Sequence, residues 1–268
     1  MAQIISIATQ NPISLRPVDR LAEAIDVMAK NGFRRIPIIW EDRLEGMLTV
    51  TDVLKVVNEN GFNLLDEEIH NFMTREPIIV YRDDDLSQAI QVMFQHDLGS
   101  LPVISQRDNT LAGIVTERDL VKAFAKNSFA DADLIEFITS EPVTKPYATC
   151  TLKQVVQTMT EGKTRRVILV DKGGKVKGIV TTSDVLRYLA DQIVLITEET
   201  RDILKIIANT IGNNDVFTVN FNNSVADVAQ ILVEKGMGGV PVVDDNDKLV
   251  GVFTERDILR LIGTYNLI

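Results

Sequence analysis

The stretch GIVTERD at residues 113–119 has three relatives elsewhere in this chain, and together they decide its fold. Each copy has a glycine, two apolar residues, a threonine, two variable positions and an aspartate. The copies are GMLTVTD at 46–52, GIVTERD at 113–119, GIVTTSD at 178–184 and GVFTERD at 251–257. They recur at intervals of 67, 65 and 73 residues with constant internal spacing, which indicates one structural unit present four times. We call this pattern the signature.

An amphipathic helix is predicted ahead of each signature. In the first copy, apolar residues stand at Leu21, Ala24, Ile25 and Met28, the spacing of one buried helical stripe. The predicted N-terminal caps of the four helices are Asp19, Asp85, Thr151 and Ser224, and the predicted glycine ends are Gly32, Gly162 and Gly236. Two β-rich runs joined by a polar turn follow, and a second helix starts at the signature threonine. With a short leading strand, each repeat reads β-α-β-β-α, an α+β fold.

The bulk composition is typical of a globular protein that does not bind nucleic acid. Hydrophobic residues make up 45% of the chain, and 38 acidic against 28 basic residues give a net charge of −10. Nonspecific binding to nucleic acid needs clustered cations, so this acidity argues against it. No apolar run approaches the about 20 residues that span a bilayer, and the N-terminus does not resemble a signal peptide. We therefore expect a cytoplasmic protein without membrane association.

The few cysteines and histidines exclude several kinds of site. Cys150 is the one cysteine, so no intramolecular disulfide is expected, and the two histidines are far apart in sequence. Neither a metal site nor a cofactor is expected, and Mg²⁺ would be bound only together with ATP. No nucleophile, base and orienting group stand together, so we do not expect an enzyme.

The size of one repeat predicts that repeats pair. A unit of about 55–60 residues buries only about 60% of its unfolded surface and is marginal alone. We place the boundary near residue 128. The first module is 1–128, with repeats at about 7–58 and 72–127, and the second is 129–268, with repeats at about 137–192 and 211–266.

The signature allows two interpretations. Thr-x-x-Asp at a helix start resembles a capping box, which would make it purely structural. A carboxylate also offers two acceptors for the vicinal hydroxyls of a ribose, while helix-start amides and nearby hydroxyls suit phosphate.

Basic residues near the signatures could supply countercharge for phosphate, or could form an ordinary solvated surface. They stand before the hairpins of the odd-numbered repeats and inside the signatures of the even-numbered ones. They are Arg34, Arg35, Lys163, Arg165 and Arg166 in the former group, and Arg118 and Arg256 in the latter.

Several stretches resemble CBS domains over nearly the whole chain. They include FMTREPIIV at 72–80, LPVI at 101–104 and GIVTERDL at 113–120. Residues 31–54 are similar to the first repeat of the γ subunits of AMP-activated protein kinase, which also carry four CBS repeats. The resemblance implies two Bateman modules of paired repeats, clefts for adenosine ligands and a four-repeat disc.

The resemblance also implies roles for individual residues. Ribose would be bound by Asp52, Asp119, Asp184 and Asp257. Ribose or phosphate would lie near Thr49, Thr51, Thr116, Thr181, Ser183 and Thr254, with the basic residues named above. Adenine would occupy a slot made by hairpin residues Ile36, Pro37, Leu101, Pro102, Val103, Val240, Pro241 and Val242 and by leading-segment residues Thr9, Pro12, Ile13, Thr74, Pro77, Ile78, Thr139 and Val143.

Two departures from the γ-subunit pattern concern proline and charge. Ile168 replaces the proline found at the equivalent position in the other repeats. The even repeats have Gly99 with Ser100 and Gly238 with Gly239 where the γ subunits have a His-Arg pair. The phosphate-binding charge therefore lies on the odd repeats, and the preference of each site does not follow from the family.

The preferred function is a regulatory, energy-sensing protein that binds AMP, ADP or ATP in clefts between paired repeats. It would signal by changing the arrangement of its modules, either to an unidentified effector protein or through self-association. One alternative is binding of S-adenosylmethionine or another adenosyl ligand, which would leave the arginines without a purpose. Another is a structural oligomerisation scaffold with empty clefts.

Overall fold

The computed structural model describes residues 3–124, 142–194 and 200–264. Each repeat contains a first helix, a hairpin and a second helix, as predicted. The first helices are α1 (Leu21–Asn31), α3 (Leu86–Gln95), α5 (Leu152–Glu161) and α7 (Val225–Glu234). The second helices are α2 (Val50–Asn60), α4 (Glu117–Phe124), α6 (Thr182–Val194) and α8 (Glu255–Thr264).

Four antiparallel hairpins connect the two helices of each repeat. They are β2 (Arg35–Trp40) with β3 (Arg43–Thr49), β6 (Ser100–Ile104) with β7 (Leu111–Thr116), β9 (Arg166–Val170) with β10 (Val176–Thr181), and β12 (Gly239–Val243) with β13 (Leu249–Thr254). Every hairpin ends at a signature threonine, so the second helix begins directly at the edge of the sheet.

Short leading strands extend the hairpins on both sides. In three repeats a strand of the same repeat pairs in parallel with the first hairpin strand; these are β5 (Val80–Tyr81), β8 (Thr144–Pro146) and β11 (Val219–Asn220). Two further strands, β1 (Thr9–Gln10) and β4 (Thr74–Arg75), pair antiparallel with a neighbouring repeat, β1 with β7 and β4 with β3. Repeats 1 and 2 therefore complete each other's sheets.

The chain forms two compact units that combine alternate repeats. The odd unit comprises Ile13–Pro77 and Val143–Val216, and the even unit comprises Met1–Pro12, Ile78–Pro142 and Phe217–Ile268. These units differ from the predicted division into 1–128 and 129–268. The physical reason is that the helices of repeats 1 and 3 share one apolar core, and those of repeats 2 and 4 share another. The pairing of consecutive repeats into Bateman modules stays a prediction.

The predicted helix caps are confirmed with one exception. Asp85, Thr151 and Ser224 accept a hydrogen bond from the first turn of their helices. Asp19 does not cap α1, whose N-cap is Arg20 without a side-chain bond. Instead, the Asp19 carboxylate binds the backbone N–H and guanidinium of Arg16. None of the helices in the described part of the chain combines the length and apolarity needed to cross a membrane.

Candidate functional site

All four signatures form the predicted capping box. The threonine N–H and Oγ1–H both donate to one carboxylate oxygen, Oδ2, of the aspartate, at 2.8–2.9 Å and 2.6–2.7 Å respectively. In return, the aspartate N–H donates to the threonine Oγ1 at 3.3–3.4 Å. The structural interpretation of the signature is therefore correct, and a ligand would have to use the second carboxylate oxygen, Oδ1.

That second oxygen has a basic neighbour that our reading of the sequence missed. Arg187 pairs with Oδ1 of Asp184, and Arg260 Nη1 lies 3.7 Å from Oδ1 of Asp257. A lysine or arginine stands three residues after every signature aspartate; the four are Lys55, Lys122, Arg187 and Arg260. Residues three positions apart are neighbours on the surface of a helix, so this spacing in the sequence was the signal for the pair.

The four aspartates also differ in accessibility. The Asp257 side chain is 4% exposed, so a ribose could not reach it without rearrangement. Asp52 and Asp119 are half-buried at the starts of their helices, and the Asp184 side chain is 10% exposed. The aspartate sites are thus unequal, although the capping geometry is the same in all four.

The signature glycine has a steric purpose. A Cβ on Gly46 would lie 2.7 Å from the carbonyl oxygen of Thr74, and a Cβ on Gly113 would lie 2.8 Å from that of Thr9. A side chain at either position would collide with the leading strand of the neighbouring repeat. Glycine is therefore what allows β4 and β1 to join the sheets beside the signatures.

The residues predicted to form the adenine slot differ in burial. Ile13 and Ile78 of the leading segments are 47% and 39% exposed, as a ligand-contacting surface requires. Other leading-segment residues are exposed (Thr9, Thr74) or half-buried (Pro12, Pro77, Val143). Thr139 lies outside the described residues.

The hairpin residues assigned to that slot are instead part of the core. Buried side chains are found at Ile36, Pro37, Leu101, Pro102, Val103, Val240, Pro241 and Val242. The aliphatic members Ile36, Leu101, Val103, Val240 and Val242 pack in the apolar cores, and the prolines alternate with them along the strands. The adenine slot stays a prediction. Only the backbone of these strands could contact a base.

In the odd unit, the basic residues flank the two helix starts. Arg35 pairs in register with Thr49, and Arg166 with Thr181. The preceding residues accept hydrogen bonds from the helix starts: Val50 N–H donates to the Arg34 carbonyl at 2.9 Å, and Thr182 N–H to the Arg165 carbonyl at 3.1 Å. The predicted closeness of these arginines to the signatures of repeats 1 and 3 is therefore confirmed.

Lys163 has a different position. It is exposed and adopts a left-handed backbone with φ of 47°, just after the end of α5. The equivalent residue in repeat 1 is Gly32, with φ of 67°. Lys163 thus ends a helix, and nothing in its surroundings assigns it to phosphate.

A cavity of about 390 Å³ lies inside the odd unit, between the last turn of α1 and the first turns of α6. The lining residues are Met28, Ala29, Lys30, Asn31, Gly32, Ser183, Leu186 and Arg187. Ser183 directly precedes the signature aspartate of repeat 3. Lys30 is paired with Asp26 at 2.8 Å on its own helix. The cavity therefore joins a helix start, a hydroxyl and two cationic side chains.

In the even unit, the signature arginines are bound to glutamates. Arg118 Nε donates to Glu255 at 2.8 Å, and Arg256 Nε donates to Glu117 at 2.6 Å. Both glutamate side chains are only 5% exposed. Arg256 also contacts Asp97. The structure thus places Arg118 and Arg256 in reciprocal ion pairs between repeats 2 and 4, and their assignment to ribose or phosphate stays a prediction.

Thr51 and Ser183 occupy the second position of α2 and α6, which is the position of Arg118 and Arg256 in the even unit. Both are half-buried. Within the described ranges, no group of three or more His, Cys, Asp or Glu side chains could hold a metal ion.

The comparisons with known proteins identify the repeat. The CBS domain family matches residues 4–59, 67–126, 135–191 and 207–264. The uncharacterized protein MJ1225 of Methanocaldococcus jannaschii is 24% identical over 266 residues, which cover 92% of this chain and 94% of MJ1225. Its crystal structure, described as that of a candidate archaeal homologue of γ-AMPK, has a TM-score of 0.88 at 23% identity and covers 97% of this chain and 100% of that one.

Two further likenesses agree. A crystal structure of an uncharacterized conserved protein from Pyrococcus horikoshii has a TM-score of 0.65 at 19% identity and covers 97% of this chain and 100% of that one. The uncharacterized protein MJ1404 of M. jannaschii is 23% identical over 275 residues, which are 96% of this chain and 61% of MJ1404. The four matched segments coincide with the four predicted repeats.

Proposed function

Because the chain belongs to the CBS-domain family, we propose that it is a non-catalytic regulatory protein whose odd unit binds an adenine nucleotide: AMP, ADP or ATP. The observation that carries the proposal is the cavity between α1 and α6. Its volume of about 390 Å³ is in the range of small-molecule pockets, about 300–1,000 Å³. It opens beside the signature of repeat 3, where the family resemblance implies an adenosine ligand.

The phosphate end of the ligand would lie at the start of α6. This helix start carries the partial positive charge of the helix dipole, and its Ser183 lines the cavity. The Ser183 hydroxyl and the Arg187 guanidinium line the same space. The backbone of Arg165 is attached to this end of the helix, because its carbonyl accepts the first N–H of α6. This combination of amides, hydroxyl and guanidinium is chemically suited to phosphate.

The ribose would contact Asp184 through Oδ1, since Oδ2 is held by Thr181. Arg187 occupies Oδ1 in this structure. A nucleotide would therefore separate this ion pair, with the guanidinium turning to a phosphate and the carboxylate to the ribose hydroxyls. Such an exchange keeps both charges paired while the ligand is bound.

Regulation would follow from unequal binding to two arrangements of the protein. A ligand can shift such an equilibrium only by its difference in affinity for the two states. Breaking and remaking the Asp184–Arg187 pair at the start of α6 is the local event that would provide this difference. The output would pass to an effector protein or to a second copy of the chain, and Mg²⁺ would enter only with ATP.

The test is isothermal titration of the full chain with AMP, ADP, ATP and S-adenosylmethionine, with GTP as a base control. We expect saturable binding of at least one adenine nucleotide and none of GTP. Binding of S-adenosylmethionine alone would favour the alternative of a phosphate-free adenosyl ligand. Absence of binding with all five compounds would contradict the proposal and favour a structural scaffold.

A matched pair of variants locates the phosphate contacts. Arg165→Gln removes a guanidinium beside α6, whereas Arg43→Gln removes one from the exposed hairpin turn of repeat 1. A charge-assisted hydrogen bond contributes about 1.5–3 kcal/mol, so Arg165→Gln should weaken nucleotide binding about 10–100-fold. Arg43→Gln should leave the affinity unchanged. Equal losses of nucleotide affinity in both variants would mean that the net charge of the protein, and not a specific contact, determines binding.

A further inference from the structure

In the even unit, charged side chains bridge the place that is equivalent to the cavity of the odd unit. Helix α3 ends at Gln95, and Asp97, two residues later, has a left-handed backbone with φ of 55° at the position equivalent to Gly32 after α1. Arg256 is the second residue of α8, as Ser183 is of α6. Gly32 and Ser183, which are two of the residues that line the odd cavity, therefore correspond to Asp97 and Arg256.

In the even unit, this pair is joined across the equivalent space. Arg256 reaches Asp97 at the end of α3 and Glu117 at the start of α4. In the odd unit the position of Glu117 is taken by Val50, the first residue of α2. Gly32, Val50 and Ser183 carry no charge and are smaller than Asp97, Glu117 and Arg256. The equivalent place in the odd unit therefore stays open as the cavity.

The charges at the helix starts also differ between the even unit and the odd unit. In the even unit, Glu117 and Glu255 lie at the starts of α4 and α8, where a carboxylate offsets the positive helix ends. In the odd unit, the equivalent helix starts have Val50 and Thr182 and lack these carboxylates. An external anion can supply there the negative charge that the even unit carries within its own chain.

We propose that Asp97, Glu117 and Arg256 are specificity-determining residues that close the even unit to phosphate-bearing ligands, so that nucleotide phosphates bind only in the odd unit. The inference rests on the proposed function and deepens it. The side chain of Arg256 fills the phosphate position, and the nearly buried Glu117 carboxylate repels an incoming anion.

Exchanging the three residues between the units tests this inference. Gly32→Asp with Ser183→Arg installs the even-unit pair in the odd cavity, and Val50→Glu completes the set. Aspartate is tolerated at the left-handed position, because Asp97 adopts it in the even unit. We expect the two-residue variant to weaken ATP binding at least about tenfold, the loss of one charge-assisted contact. The three-residue variant should bind no ATP.

The reverse exchange, Asp97→Gly with Glu117→Val and Arg256→Ser, opens the even unit. Asp97, Glu117 and Arg256 are removed together, so the two ion pairs of Arg256 lose both of their members at once. Titration with ATP should then show one additional site compared with the unmodified chain. Inorganic pyrophosphate should compete at that site.

The outcomes separate this inference from the proposed function. If the unmodified chain binds no adenine nucleotide, the proposed function fails. If it binds ATP and the folded Gly32→Asp, Ser183→Arg variant binds it equally well, the specificity inference is refuted and the function stands. Circular dichroism establishes folding. Should the three-residue variants not fold, the folded Gly32→Asp, Ser183→Arg variant still decides between these outcomes.

Discussion

The atoms that an added Cβ would meet at three equivalent signature glycines predict how strongly alanine at each position should destabilise the protein. Replacement of Gly46 by alanine would place a Cβ 2.7 Å from the Thr74 carbonyl oxygen and from the Met73 sulfur. At Gly178 the nearest atom is the Asn214 side-chain oxygen at 3.1 Å, which can rotate away. Both glycines lie on the second hairpin strand, so the effect of alanine on the unfolded chain is matched.

The collision at residue 46 can be relieved only by moving β4, because a carbonyl is part of the backbone. Overpacking of this kind costs about 1–3 kcal/mol. With each kcal/mol worth about 2–4 °C in a chain of this size, Gly46→Ala should lower the melting temperature by about 2–12 °C. Gly178→Ala should cost less than about 1 kcal/mol. Gly113→Ala, with a carbonyl at 2.8 Å, should resemble Gly46→Ala.

Scanning calorimetry gives the ranking, and hydrogen exchange locates its cause. In Gly46→Ala, the amides of β3 and β4 should exchange faster, while those of α1 keep their protection. The reasoning would be refuted if Gly178→Ala lowered the melting temperature as much as Gly46→Ala. It would also be refuted if protection were lost throughout the odd unit instead of at this strand pair.

Three further predictions concern the caps, the cysteine and the ion pairs. Thr116→Ala removes one capping hydroxyl and should lower the free energy of unfolding of the even unit by about 1 kcal/mol, measured by urea unfolding. A loss below about 0.3 kcal/mol would mean that the capping box does not stabilise the helix start. Burial raises the pKa of the Cys150 thiol, so iodoacetamide at pH 8 should label it only after unfolding, and rapid labelling of the folded chain would contradict its burial. Glu117→Gln leaves Arg256 without its buried carboxylate and should cost about 3–5 kcal/mol, whereas adding Arg256→Gln should recover part of this loss. Additive effects in that double-mutant cycle would mean that the two residues are not coupled.

The elements of each repeat were predictable because their signals are local. Leu21, Ala24, Ile25 and Met28 follow helical spacing and are each 0% exposed. The capping box depends on two residues three positions apart, so its geometry is contained in the sequence pattern. Periodicity and capping chemistry therefore predict helices, hairpins and the place where they meet.

The partners of each repeat were not predictable in the same way. All four repeats present the same apolar stripe, so nothing in a stripe specifies whether repeat 1 shares its core with repeat 2 or with repeat 3. The Arg118–Glu255 and Arg256–Glu117 pairs join residues 137 and 139 positions apart. Both arginines were assigned to phosphate because their glutamate partners could be identified only once the helix starts had been brought together.

The alternation of the two cores has a consequence during synthesis. The stripe of α1 is completed by helices of repeat 3, so a ribosome must translate well over 100 further residues before that core can close. At about 5–20 residues per second this takes on the order of 5–25 s. During that time the apolar faces of α1 and α2 lack their final partners, and repeat 2 likewise waits for repeat 4. Chaperone demand should therefore be greatest for nascent chains that end between the second and third repeats.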